Sequence, residues 1–395
     1  YSKKKNIPYL ILIFLFIPMF LSQKYNEDFG YYHLPYALSF IEEKIIFGFA
    51  NINLTYVYNS IWLNLYSIFF LGDKNFDFLT LPSFILFLTF ILFSITQIIN
   101  SKNILISDFY LIVILFYFIL KFTRISEFGV DLPSIIFFIL GIYYFIKFHE
   151  TNLIEEKKIF FLLVIYFSIF SILIKISTLP IIFLSLYLYF KNFKKLKYFI
   201  FNFKFFFISS IFLSFLIQQF IYTGCLFFPS KLTCFDLSWF NSEYLNLSKN
   251  IELINKSYYQ GANNIFSPEQ YLNNFNWFSY WLKRNFTLIS ENLLTIFLPS
   301  LLFLVSLKNK NKIDILFKEK FILFIFLILG FIFWLYFSPV YRFAVHLFVT
   351  IIFILLTKLF LSKVFSKKNF IFLISIFVLF SFSKNLNRLN KVEDI

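Results

Sequence analysis

The stretch LTYVYNSIWLNLYSIFFL, residues 54–71, decides how this chain is organised. It is apolar and long enough to be taken for a membrane-crossing helix, which needs about 17–25 residues. Yet Ser60, Asn64 and Ser67 fall at i, i+4 and i+7 and would lay a polar stripe along one helical face. Such a stripe marks a helix lying against a membrane or a partner. The choice matters because one added crossing moves every later segment to the other side.

Eleven other apolar segments are predicted to cross: 7–22, 80–99, 104–120, 133–148, 159–174, 178–190, 205–221, 292–307, 321–337, 343–361 and 370–382. The first follows Lys3, Lys4 and Lys5 without a small-residue cleavage site, so a retained helix is expected rather than a signal peptide. Lysine parity resolves the ambiguous stretch. With 54–71 not crossing and a cytoplasmic N-terminus, more than half of the 36 basic residues fall in or beside inside loops. If 54–71 crossed, KNFKKLK (191–197) and KNKNKIDILFKEK (308–320) would both face outward, against the positive-inside rule. The expectation is therefore an all-α, polytopic integral membrane protein with about 11 transmembrane helices and interfacial helices in its outer loops.

Composition agrees. The 395 residues are 59% apolar and 14% charged, against roughly 45–50% and about 25% for a soluble domain. That excludes a soluble enzyme, a disordered chain and a small disulfide-stapled module. The net charge of +15 belongs to inside lysines rather than to nucleic-acid binding. The 67 phenylalanines read as composition bias, not as a stacking surface. No repeat or soluble domain is visible, and 1–395 reads as one transmembrane domain with outer loops at about 23–79 and 222–291.

This topology gathers polar residues at the outer face. The first outer loop opens on YNEDFGYYHLPYALSFIEE, with Glu27, Asp28 and His33 before a helix opened by Pro35. A carboxylate there suits a general base over a lipid-borne substrate; the plainer reading is a solvated acidic loop. RISEFGVDLP carries Arg124, Glu127 and Asp131, which either pair among themselves or hold an anion and align a hydroxyl. Lys175 in IKIST requires water, a carboxylate or a phosphate for its ammonium. Arg342 in SPVYRF suits bidentate phosphate binding or interfacial anchoring.

In the long loop, Ser267, Pro268 and Gln270 form a capping-box pattern that starts a predicted interfacial helix over 268–286. Tyr271, Phe275, Phe278 and Leu282 form its apolar face, with Trp277, Trp281 and Arg284 beside them. Lys283 and Arg284 are candidates for a lipid phosphate. Cys225 and Cys234, both in the oxidising outer compartment, are expected to form a disulfide. No P-loop, GxGxxG after a strand, HExxH or Ser-His-Asp signature is present, which argues against a nucleotide-fuelled pump.

DFGYYHLPYA with FGFANIN and YVYNSIW, then RISEFGVDLP, IKISTLP, YTGCLFFPSKLTCFDLSW and FSPVYRF, resemble the bacterial GT-C type of polytopic glycosyltransferase. The likeness is to a branch associated with surface polysaccharide, and it covers most of the chain. It implies an inner-membrane enzyme that moves a sugar from a polyprenyl-phosphate donor to a lipid-linked glycan or another acceptor on the outer face. It implies Asp28 as catalytic base with Glu27 beside it, and a second acidic site at Glu127 or Asp131. His33, Arg124, Lys175, Arg284 and Arg342 are the remaining substrate-binding candidates. Glu-Asp-Phe is not the DxD spacing of metal-dependent members, so no metal or other cofactor is expected. The partners are the lipid-linked donor, the glycan acceptor and membrane lipids, with no nucleic acid. A glycan polymerase, or a transporter or flippase of lipid-linked sugars, is the alternative. Charges at the outer ends rather than the bilayer midplane weigh against transport.

Overall fold

The computed structural model describes residues 7–22, 28–42, 45–69, 78–101, 104–121, 129–193, 203–228, 230–309 and 320–390. Its helices are α1 (Ile7–Leu21), α2 (Leu34–Glu42), α3 (Ile61–Ile68), α4 (Leu81–Asn100), α5 (Ile106–Lys121), α6 (Asp131–Glu150), α7 (Ile154–Ile174) and α8 (Ile182–Lys191). They continue as α9 (Phe203–Thr223), α10 (Glu243–Asn255), α11 (Pro268–Leu272), α12 (Trp277–Val305), α13 (Lys320–Phe337), α14 (Val345–Leu361) and α15 (Lys367–Leu389). Among the described residues the strand content is one two-residue antiparallel pair, Lys308–Asn309 with Lys363–Val364.

Among the described residues seven helices, α4, α6, α7, α9, α12, α13 and α15, are long and apolar enough to cross a membrane. The other four segments predicted to cross form shorter helices: α1, α5, α8 with the turn Ile176–Ile181 before it, and α14. The fold is thus all-α and of the polytopic membrane type.

The bundle is organised around α5. Every residue from Ile106 to Ile119 is buried; from Phe109 onward the helix is apolar or aromatic on all sides, while Asp108 at its start pairs with Lys147 at 3.6 Å. It packs against α4, α6, α12, α14 and α15. In lipid, such packing rests on close van der Waals contact and internal hydrogen bonds. Gly330 shows how close: a Cβ there would stand 2.8 Å from Leu347 Cδ2, so the glycine lets α13 lie against α14. Tyr110 and Thr350 share a hydrogen bond of 3.1 Å between α5 and α14.

The decisive stretch does not form one long helix. Leu54–Val57 is a single 3-10 turn, and α3 begins only after Ser60, whose hydroxyl accepts from the Trp62 amide at 3.3 Å. An eight-residue helix spans about 12 Å, far short of a bilayer. The expected polar stripe is not one face of a helix: Ser60 caps α3, Ser67 donates to Asn64 O at 2.5 Å, and Asn64 alone of the three reaches a partner helix, donating to Gln218 of α9 at 3.0 Å. Trp62 and Tyr66 face inward and bond Ser83 of α4.

Residues 28–42 and 45–69 therefore make a cap on one end of the bundle, with its own aromatic core. Phe49 stacks on Tyr56 at 4.6 Å, and Tyr36 donates to Asn59 at 2.5 Å. Gly48, at φ +68°, turns the chain so that its amide reaches Ile221 O of α9 at 2.9 Å. Any Cβ there would strike Asn51 and Trp239 at 2.8 Å. Cys225 and Cys234 are joined by a disulfide next to this cap.

The helix predicted over 268–286 needs correction. The Ser267 and Gln270 capping box is present, but α11 stops at Leu272. The Asn-rich run that follows breaks the helix, with Phe275 at φ +58°, because asparagine side chains compete for backbone hydrogen bonds. Asn276 instead donates to Gln270 O at 2.8 Å. Trp277 then opens one continuous 29-residue helix, α12, which absorbs the segment expected at 292–307. In its first turns Trp277 and Trp281 face inward while Phe278 and Leu282 lie exposed; of the predicted apolar face only Tyr271, in α11, is buried, and Phe275 before the helix is exposed.

Candidate functional site at the capped end of the bundle

The site begins with the α6–α7 hairpin. Its helices run antiparallel through a short turn, which brings the start of α6 beside the end of α7. Asp131 is the first residue of α6, where the exposed amides of a helix N-terminus favour a carboxylate. Lys175 follows the last residue of α7, where carbonyls favour a cation. Their side chains form an ion pair through Asp131 Oδ1, at 15% and 21% exposure for Lys175 and Asp131.

A second cation arrives from the turn between α13 and α14. Arg342 Nε lies 3.3 Å from Asp131 Oδ2, so Asp131 binds one cation with each oxygen. Phe343 lies under both, its ring centre 3.2 Å from Lys175 Nζ and 5.4 Å from Arg342 Cζ. Three side chains clamp this turn. Trp281 Nε1 donates to Pro339 O at 2.6 Å, Trp334 Nε1 to Val340 O at 2.8 Å, and Asn255 Nδ2 to Ser338 Oγ at 2.8 Å.

The first loop completes the group. Asp28 precedes a π-helical turn, Phe29–His33, that runs directly into α2. Asp28 Oδ2 is 3.7 Å from Arg342 Nη2, and here the side chains are 39% and 50% exposed. His33 is buried below. Burial, reinforced by Lys175 and Arg342 and opposed by Asp131, pushes its pKa down to about 4, so it is neutral at pH 7. Tyr32, packed on His33 at 4.1 Å, is raised well above the usual phenol range by burial and by Asp28 and Asp131. Lys175 is lowered to about 8, mainly by burial and further by Arg342, with Asp131 and Asp28 opposing.

The structure thus brings Asp28, His33, Asp131, Lys175 and Arg342 together from four distant parts of the chain. Arg284 is exposed on α12 and makes no ion pair with them among the described residues. Glu27, Arg124 and Glu127 lie outside the described residues. Sequence reading missed Trp281, Trp334, Asn255 and Phe343 as parts of the site. The indole run around the long loop was visible, but its hydrogen bonds to the Arg342 turn depend on tertiary contact. Among the described residues, no group of three or more His, Cys, Asp or Glu side chains is arranged to hold a metal.

Two carboxylates and two cations at a partly open rim can bind an anion and accept a proton within one ionic group. An all-α membrane-type bundle with this rim defines the class of protein. Within that class, residues 1–349 match the family described as "Domain of unknown function (DUF8201)", and the chain belongs to it. No curated protein and no solved structure matches the chain.

Proposed function

We propose that the protein is a GT-C-type glycosyltransferase of a bacterial inner membrane, transferring sugar from a polyprenyl-phosphate donor on the outer face. The observation that carries this reading is the linked group Asp28, Arg342, Asp131 and Lys175, with Asp28 and Arg342 both partly open. Eleven crossings with a cytoplasmic N-terminus put that rim outside, where nucleotide sugars are absent and a lipid-borne donor is the available one. At the other ends of α6, α7 and α14, Lys147, Lys157 and Lys158 around the α6–α7 turn and Lys363, Lys367 and Lys368 around the α14–α15 turn support this orientation.

In the reaction, an acceptor hydroxyl gives its proton to Asp28 as its oxygen bonds the anomeric carbon. The bond from that carbon to the phosphate oxygen breaks, and the departing polyprenyl phosphate carries away the electron pair. Arg342, anchored by the Asp131–Lys175 pair, stabilises the charge gained by the phosphate more strongly than it binds the ground state. One base and direct displacement give inversion. An apolar groove of about 270 Å³ lined by Phe137, Leu163, Tyr166, Phe167 and Phe170 suits the lipid chain. Phe137 and Phe170 are six and five residues from Asp131 and Lys175 along their helices, about 9 and 7.5 Å.

The test is transfer by the purified full chain from a polyprenyl-phosphate sugar, with the anomeric configuration of the product determined. Transfer with inversion supports the reading. Movement of intact lipid-linked sugar across vesicles without transfer supports a transporter and contradicts it.

A further inference from the structure

The two carboxylates of the rim are not equivalent. Asp131 has two cations and is mostly buried with one of them, Lys175. Asp28 has one cation within ion-pair reach among the described residues, Arg342, and meets it through a single, longer contact at 3.7 Å. Arg342 is shared. If an incoming anion takes its guanidinium, Asp131 remains neutralised by Lys175, while Asp28 is left without its counter-ion.

We propose that Arg342 is an exchangeable counter-ion that occupies Asp28 until the donor phosphate displaces it, so that donor capture frees the base. The identity of the anion as a lipid phosphate rests on the glycosyl-transfer reading. The Asp131–Lys175 pair is the fixed half of the device: it anchors Arg342 through Oδ2 while the other side of the guanidinium changes partners. Guanidinium geometry permits this, because its five N–H groups serve two acceptors at once. The half-exposed Asp28 contact is also the weaker one to break, since exposed ion pairs contribute little. Before the phosphate arrives, Asp28 is turned toward a cation rather than a hydroxyl, which guards the site against activating water.

The device makes an unusual prediction for binding without chemistry. Asp28 and the phosphate compete for Arg342, so Asp28→Asn should bind a short-chain polyprenyl monophosphate more tightly than wild type. The gain should be about three-fold, the scale of one partly exposed ion pair. Direct charge repulsion between Asp28 and the probe would also tighten binding, but independently of Arg342. The Arg342→Gln background separates the two: exchange predicts that Asp28→Asn gives no gain there, and repulsion predicts that the gain persists. Equilibrium binding is measured with the full chain in detergent, at one ionic strength. Gain in the wild-type background alone supports exchange. No gain, or an equal gain in both backgrounds, contradicts exchange but leaves glycosyl transfer standing. A wild-type chain that binds no polyprenyl phosphate removes both.

Discussion

Asp131 at the start of α6 and Lys175 after the end of α7 form an ion pair that the hairpin's antiparallel geometry brings about. The pair anchors the rim, because Arg342 is held to the remaining oxygen of Asp131.

Asp131→Asn should therefore destabilise the protein. Removing one partner of a well-buried pair leaves a charge without compensation, an effect of about 3–5 kcal/mol for fully buried pairs. Here partial exposure and the remaining aromatic contact reduce it to roughly 1–3 kcal/mol. Thermal unfolding in detergent checks this. Lys175→Met in the same chain should restore part of the loss, whereas an additive effect of the two changes would show that they do not act as a pair.

The Lys175 amine should titrate near pH 8. The groups around it are Asp131, Arg342, Asp28, His33, His346 and the Phe343 ring. Reaction of this lysine with an amine-selective acylating reagent, followed by peptide mass spectrometry, reads the midpoint directly. Asp131→Asn should move it further down, because Asp131 favours the charged form. The linkage follows in sign. The folded chain releases this proton near pH 8, and the unfolded chain near 10.5. The penalty for burying charged Lys175 is thus complete below about 8 and is relieved as pH rises toward 10.5. Lys175→Arg, which stays charged, should lose that rise.

Trp281→Phe should lower turnover with little change in fold. The ring remains, but the 2.6 Å bond to Pro339 O is lost, a change of roughly 1 kcal/mol. Pro339 lies three residues before Arg342, so the guanidinium should be held less firmly. A fall in kcat with near-normal melting is expected. Unchanged turnover would show that this clamp does not position Arg342.

Reporter fusions should place Lys157 and Lys308 in the cytoplasm and Asn250 outside. Their positions test the lysine parity that orients the rim. An inside signal at Asn250 would put Asp28 on the side where nucleotide sugars are abundant and remove the reason for a lipid-borne donor.

The apolar segments and their order were legible because each is a continuous apolar run set off by charged or polar residues, even where, as at 178–190 and 370–382, the run is short. Residues 54–69 do differ from the other apolar segments in forming no helix of crossing length, but they form a 3-10 turn and α3 rather than the single striped helix expected. The sequence did not disclose that Ser60 would cap a new helix while Asn64 met Gln218, since the latter is a contact between distant segments. Asp28, Asp131, Lys175 and Arg342 each stood out as charges beside apolar spans. Their assembly depended on the α6–α7 hairpin and on the indole clamps around Ser338 to Val340, which no local spacing encodes. The helix over 268–286 was misjudged because its capping box is a strong local start, whereas the asparagines at 273, 274 and 276 set the stop.

The central claim is that Asp28 accepts the proton in sugar transfer. Its most direct test is the turnover of Asp28→Asn with a polyprenyl-phosphate sugar donor, compared with wild type in the same membranes. Asparagine keeps the shape but lacks a basic carboxylate, so loss by about 10²–10⁴-fold or more is predicted, with normal membrane insertion. Arg342→Lys should retain partial activity, because the charge survives without the planar fork. Wild-type turnover by Asp28→Asn would contradict the account.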